Sequence, residues 1–217
     1  MQRRLIMLRH GQTVYNATRR MQGHLDTQLS ETGIAQARAA ASMVAQLGVS
    51  KIVASDLSRA AGTAEIIADA VGVPVTTDPR LRETHLGAWQ GKSHEEVDGA
   101  HPGARAHWRN DATWAPPEGE SRVQVAQRAR PVVDELLTDY AQWGDSAVLL
   151  VAHGGTISAL TASLLGFDVA QYPLFKSLGN TNTARLYALP AYRAENSASD
   201  DEVQWYLEAW NQGLVAP

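Results

Sequence analysis

The sequence predicts an α/β fold, a three-layer αβα sandwich built on a mixed, mostly parallel sheet. Three observations carry that prediction. Short apolar runs alternate along the chain with stretches of helical periodicity, the order that builds parallel sheets with helices on both faces. The strongest run, Ala147 to Ala152, is apolar at every position, as a strand covered on both faces tends to be. Glycines stand where helical stretches stop, at Gly48, Gly72 and Gly166, because helices commonly end on a left-handed residue. With 217 residues, no internal repeat and no linker-like stretch, residues 1–217 are expected to form one domain.

From the N-terminus, Arg4 to Leu8 is a short apolar run bounded by charges and reads as a buried strand. Ser30 opens a helix whose apolar face is Ile34, Ala37, Ala41, Val44 and Leu47. Lys51 to Ala54 is the next strand, Ser58 to Ala70 a helix, and Val73 to Thr77 a third strand. Periodicity then fails from Glu83 to Ser121, where Gly, Pro, His and Trp accumulate. The stretch at about 84–120 is expected to be a lid or specificity region, interrupted at most by short helical turns. Arg122 to Tyr140 is helical in pattern, with a kink expected at Pro131. After the Ala147 strand come a helix from Thr156 to Leu165, a strand from Thr183 to Leu189, a loop from Ala194 to Glu202, and an edge strand from Val203 to Trp210.

Composition removes several function classes. There is no cysteine, which excludes disulfides, thiolate metal sites and a cysteine nucleophile. The formal charge of -4 offers nucleic acids and acidic membranes no favourable field, so neither is an expected partner. No apolar run approaches the roughly 18 residues of a membrane-spanning helix. Leu5 to Leu8 is too short for the apolar region of a signal peptide, and a cytoplasmic protein is expected. The cations are mostly arginine, with lysine only at 51, 92 and 176. Arginine's planar fork of donors matches phosphate and carboxylate oxygens, so a small anion is the expected ligand. Trp205, Tyr206 and Trp210 near the C-terminus are candidates for a homodimer contact.

In open sheets of this type ligands bind beyond the carboxyl ends of the strands. There the first strand places Arg9-His10-Gly11, the second Arg59, the third Glu83, and the Ala147 strand His153-Gly154-Gly155. Taken singly each has an ordinary explanation: a hydrogen-bonded structural histidine, a surface ion pair of Arg59 with Asp56 or Glu65, a capping carboxylate. Their joint placement at one edge is what points to a site. The glycine after each histidine would let backbone amides approach an oxyanion. His85, His94, His101 and His107 fit no zinc-ligand spacing, and no metal site is expected.

The motifs Leu8-Arg9-His10-Gly11-Gln12-Thr13 with Asn16, Ser55-Asp56-Leu57-Ser58-Arg59-Ala60, Leu81-Arg82-Glu83, Glu118-Gly119-Glu120-Ser121 and Val151-Ala152-His153-Gly154-Gly155 stand in this order. They resemble the signature of the histidine phosphatase superfamily, whose best-known branch contains cofactor-dependent phosphoglycerate mutase. Glu118 departs from the pattern, which more often has Gly there. Within the superfamily, the stretches from Leu81 to Gly91 and Asp111 to Pro116 are similar to actinobacterial glucosyl-3-phosphoglycerate phosphatases, which serve the making of glucosylglycerate for methylglucose lipopolysaccharides.

The resemblance implies a metal- and cofactor-independent phosphatase of a small phosphorylated metabolite. His10 would attack phosphorus, and Arg9, Arg59 and His153 would neutralise the phosphoryl oxygens. Glu83 would protonate the leaving oxygen and then activate water. Asn16, Gln22, Gly23 and Gly154 would add donors to the phosphate. For the remaining part of a glucosylated phosphoglycerate, Arg105 and Arg109 are candidate carboxylate partners, and Trp89, Trp108 and Trp114 candidate sugar walls. Rival readings are a broad-specificity phosphomonoesterase, a phosphoglycerate mutase, and a catalytically silent regulatory module. The 69 residues between Glu83 and His153 are fewer than family mutases carry there, which favours hydrolysis.

Overall fold

Alternation within the strands decides the architecture. The computed structural model describes residues 1–144, 146–192 and 202–213. In chain order the regular elements are β1 (Arg3–Arg9), α1 (Val14–Ala17), α2 (Glu31–Val44), β2 (Val49–Ala54), α3 (Ser58–Val71), β3 (Val75–Thr77), α4 (His94–Ala100), α5 (Ala104–Asn110), α6 (Arg122–Asp139), β4 (Ala147–Ala152), α7 (Gly154–Leu164), β5 (Thr183–Pro190) and β6 (Val203–Gln212). The strands form one sheet in the order β3-β2-β4-β1-β5-β6. β1 to β4 are parallel where they pair, and β5 and β6 add antiparallel at one side.

Side chains of successive strand residues point to opposite faces. Ile6, Leu8, Ile52, Ala54, Leu149 and Val151 therefore pack on α2 and α3 through Ala40, Ala41, Val44, Ala60, Ala64 and Ile67. Leu5, Met7, Val53, Val148 and Leu150 face the other way and pack on α6 and α7 through Val132, Val133, Ile157 and Leu160. These are the three layers. All six residues of β4 are buried, as its uninterrupted apolar sequence requires.

Several elements differ from the sequence expectation. β3 begins at Val75 because Pro74 has no N–H to give a ladder. α2 ends at Val44, short of Gly48, which takes φ +65° in the turn into β2. α6 runs continuously through Pro131. The proline removes the ladder bond to the Gln127 carbonyl, and Gln127 is exposed, so water can replace it. The region at 84–120 was expected to be irregular with short helical turns, and it holds two seven-residue helices, the first of them capped. Ser93 accepts from Glu96 N–H and the Glu96 carboxylate accepts from Ser93 N–H, a capping box that starts α4. Arg105 of α5 pairs with Asp98 of α4. Beneath them lies a small core of its own, with Met21, Leu86, Trp89 and Val97 buried and Ala104, Trp108 and Trp114 packed against it.

Trp205 is buried against Trp143 in the interior of this chain, and Trp210, half-buried, lies edge-on to Phe175. Tyr206 is exposed and stacks on Tyr187. The loop expected at 194–202 lies almost wholly outside the described residues. Among the described residues no helix is long and apolar enough to cross a membrane.

Candidate active site

β1 and β4 are parallel neighbours in register, Arg9 opposite Ala152, so His10 and His153 leave the sheet side by side. Their ring centroids are 5.1 Å apart, and His10 N–H donates to the Ala152 carbonyl at 3.0 Å. Both histidines are buried. Gly11 is required by a close approach: a Cβ there would lie 2.4 Å from the Gly33 carbonyl oxygen in the first turn of α2.

The His10 Nδ1 donates to the Gly11 carbonyl at 2.7 Å, which leaves Nε2 with its lone pair. Burial, then the Arg9 and Arg59 cations, hold the imidazole pKa well below the ordinary histidine range, against the opposing Gly11 bond. The ring is neutral and nucleophilic. His153 is also held well below that range, by burial first and then by Arg59, His10 and Arg9. The Ser55 hydroxyl accepts from Leu57 N–H at 3.3 Å and lies 2.8 Å from His153 Nε2. Assigning the hydroxyl proton to that contact puts the ring proton on Nδ1, and Nδ1 is buried with no protein partner.

Arg59, in the first turn of α3, is fully buried. Its Nη1 donates to the Leu25 carbonyl at 2.8 Å and its Nη2 to the Gly23 carbonyl at 2.7 Å. Burial pushes its pKa down to about 10, with Glu83 the leading opposing influence. Arg9 is anchored by Nη1 to the Leu178 carbonyl. The Nε–H of Arg9 and of Arg59 are both buried without a partner.

Glu83 follows β3 and reaches across to α7. Its carboxylate accepts from Thr84 N–H at 2.8 Å and from Gly155 N–H and Thr156 N–H at 3.2 Å each, where backbone amides and the helix dipole favour negative charge. A Cβ on Gly155 would sit 2.5 Å from Glu83 Oε1. Here it is Gly155, the second glycine after His153 and not Gly154, whose N–H meets an oxyanion, and that oxyanion is the protein's own carboxylate. The Glu83 carbonyl is held from behind, accepting from His24 Nε2 at 2.7 Å and Arg128 Nη2 at 2.8 Å. Arg128 also bridges to Glu120.

Arg9, His10, Arg59 and Glu83, with Gln22 and Gly23, line a cleft of about 550 Å³. His153, also expected to bind phosphate, is fully buried behind His10 and is not one of its lining residues. The Gln22 Oε1 accepts from the Thr13 and Thr27 hydroxyls, so its amide nitrogen is the end left to donate. Asn16 is not a lining residue. Its Oδ1 accepts from Thr13 N–H at 3.1 Å and from Asn180 Nδ2 at 3.3 Å, and Asn180 also donates to the His10 carbonyl. Gly154 is buried against Ser177, whose Oγ would be 1.9 Å from a Cβ there.

The outer half of the cleft departs further from expectation. Arg105, a candidate carboxylate partner, is spent on Asp98. Trp89 is fully buried in the small core, and Trp114 stacks on Trp89 and His107; neither lines the cleft, whereas Trp108 does. Arg59 pairs with neither Asp56 nor Glu65: Asp56 is taken by Arg82. The cleft also recruits Arg122, Pro173, Phe175, Lys176 and Ser177, none of which carried a local signal, because only packing brings them to this wall. Glu118 takes φ +60°, a left-handed turn in which the usual glycine would cost nothing.

The sequence profile of the Histidine phosphatase superfamily (branch 1) matches residues 5–194. A glucosyl-3-phosphoglycerate phosphatase of Mycolicibacterium vanbaalenii is 53% identical over 213 residues, covering 96% of this chain and 94% of that protein. One from Mycobacterium tuberculosis is 50% identical over 215 residues, with the same coverages. The solved structure of a mycobacterial glucosyl-3-phosphoglycerate phosphatase complexed with VO3 superposes with a TM-score of 0.90 at 48% identity, covering 97% of this chain and all of that one.

Proposed function

Since the chain belongs to branch 1 of the histidine phosphatase superfamily, we propose that it hydrolyses glucosyl-3-phosphoglycerate to glucosylglycerate and phosphate through a phosphohistidine on His10. The observation that carries the chemistry is two buried guanidinium donors without protein partners, Arg9 Nε and Arg59 Nε, beside a neutral histidine, with His153 Nδ1 buried and also unpartnered. Buried donors are rarely left unmade. A phosphoryl dianion is a ligand that satisfies the two arginines.

The His10 Nε2 lone pair forms the bond to phosphorus as the ester P–O bond breaks and its electrons go to the leaving oxygen. Glu83 is the group that passes that oxygen a proton. Water then attacks the phosphohistidine, its proton returns to Glu83, and the N–P electrons return to Nε2. Arg9, Arg59 and His153 meet the equatorial oxygens throughout. The substrate assignment is supported by relatives of that name at about half identity over nearly the full chain.

Rapid acid and alkaline quenching during turnover tests the reading. The wild type should yield an acid-labile, alkali-stable phosphoprotein and His10→Ala none, with the rate down by about 10⁴ or more. An unchanged rate in His10→Ala would overturn the mechanism. Glucosyl-3-phosphoglycerate hydrolysed no better than phosphoserine would overturn the substrate.

A further inference from the structure

We propose that Arg122, with Arg109 and Lys176, forms a second anion subsite in the cleft, and that it takes the carboxylate of the phosphorylated hydroxy acid. The inference rests on the phosphatase reading above and adds to it the residues that read the acid group.

The charge inventory of the cleft is the first argument. Its lining holds the cations Arg9, Arg59, Arg109, Arg122 and Lys176 against the single carboxylate of Glu83. Arg9 and Arg59 flank His10 and match a phosphate dianion. The other three are left without an assigned anion. Among the described residues none of them lies within ion-pair distance of a carboxylate, whereas Arg105, Arg128 and Arg130 nearby are all paired.

Geometry is the second. Arg122 is half-buried, with its guanidinium carbon 5.6 Å from the centre of the Trp108 ring, and its Nη1 donates to the Arg109 carbonyl at 3.2 Å. The guanidinium lies over the Trp108 ring, and the backbone contact uses one nitrogen. The edge made by Nε and Nη2 remains, the shape that meets a carboxylate in two parallel bonds. Burial and the neighbouring Arg109 cation both act against the charge of Arg122, and a bound anion relieves both.

Position is the third. Arg122 lines the same cleft as Glu83, the group that protonates the leaving oxygen in the reading above. In a 3-phosphoglycerate the carboxylate is separated from the ester-bearing carbon by one further carbon. An acid group anchored at Arg122 would bring that oxygen toward Glu83. Trp108 and Phe175, which also line the cleft, are left to the glucosyl group.

The test is kcat/KM on two substrate pairs: glucosyl-3-phosphoglycerate against its carboxamide, and 3-phosphoglycerate against glycerol 3-phosphate. The wild type should favour the acid by about 30-fold or more in both pairs, since the neutral analogue leaves the half-buried Arg122 guanidinium unpaired. Arg122→Gln should bring each ratio to within about 3-fold of one, and Arg122→Lys should restore part of it. Ratios near one in the wild type, which need no variant to fold, would overturn the subsite, as would a wild-type ratio in Arg122→Gln. Acid preference in both pairs without any benefit from glucose would support the subsite and remove the proposed substrate. A strong glucose benefit with acid and amide hydrolysed alike would do the reverse.

Discussion

The two halves of the cleft are built by different means. The inner half hangs on strand ends: Arg9 and His10 on β1, His153 on β4, Arg59 in the first turn of α3, with His10, Arg59 and His153 each almost wholly out of solvent. The outer half is carried by α5, the start of α6 and the segment around 173–177, where Arg109 and Lys176 are exposed. Its support is two small clusters rather than the sheet, the Trp89 core under α5 and a second in which Val125 and Ala126 of α6 meet Ala159, Ala162 and Tyr172, with Phe175 packed against it. Groups that act on phosphorus need fixed geometry and low dielectric, and the sheet supplies both. Groups that read the rest of a substrate can sit on a module that varies without disturbing them.

If that division is right, changes in the inner half should cost rate on every substrate in proportion to the leaving group, and changes in the outer half should cost selectivity. After the loss of His10 itself, the largest effect is expected at Glu83. Glu83→Gln keeps the bonds to α7 in part but carries no acidic proton, so loss of kcat on the alkyl ester should be about 10² or more, and smaller on an aryl phosphate that departs unaided. Equal losses on both would assign Glu83 to binding and erase the distinction drawn here.

Next comes the cost of keeping the inner histidines neutral. Both have folded pKa values well below their ordinary one, so between about pH 6.5 and the folded values the unfolded chain binds protons that the native chain does not. Stability is therefore full above about pH 6.5 and falls as pH drops, by up to about 1.4 kcal/mol per pH unit for each histidine. His24 and His94 are lowered too and add in the same direction. Denaturant unfolding at pH 7.5, 6.5 and 5.5 should show the decline, and His10→Ala should flatten its slope by close to one proton. A native state equally stable at all three pH values would mean the inner half is not the low-dielectric site described.

The smallest effect is expected in the outer half. Trp108→Ala removes the surface under Arg122 and one wall of the cleft, and kcat/KM for glucosyl-3-phosphoglycerate should fall about 10-fold, more than for an aryl phosphate. A uniform fall on both substrates would indicate that the module supports the inner half after all.

Much of this molecule was legible along the chain. Strands and their partners in the three-layer fold follow from apolar runs whose length and punctuation leave few alternatives, and Gly72 ends α3 in the left-handed conformation its position predicts. His10, Arg59, Glu83 and His153 could be placed at one edge because parallel strands put their following loops at the same end. Two features in the sequence were readable yet weak: the Ser93 and Glu96 capping box, and the proline at 74 that shortens β3.

What the sequence alone determined is therefore the sheet, its two helical layers and the reactive ring at the strand ends, since periodicity and chain direction are local properties. Only the tertiary structure decided how those groups are used. Gly155 serves Glu83 rather than substrate, Asn16 braces the loop instead of lining the cleft, Arg105 is consumed by Asp98, and Arg122 is left unpaired beside Trp108. An arginine's role depends on whether a carboxylate lies within a few ångströms, and that is settled by residues distant in sequence. No spacing rule reports it.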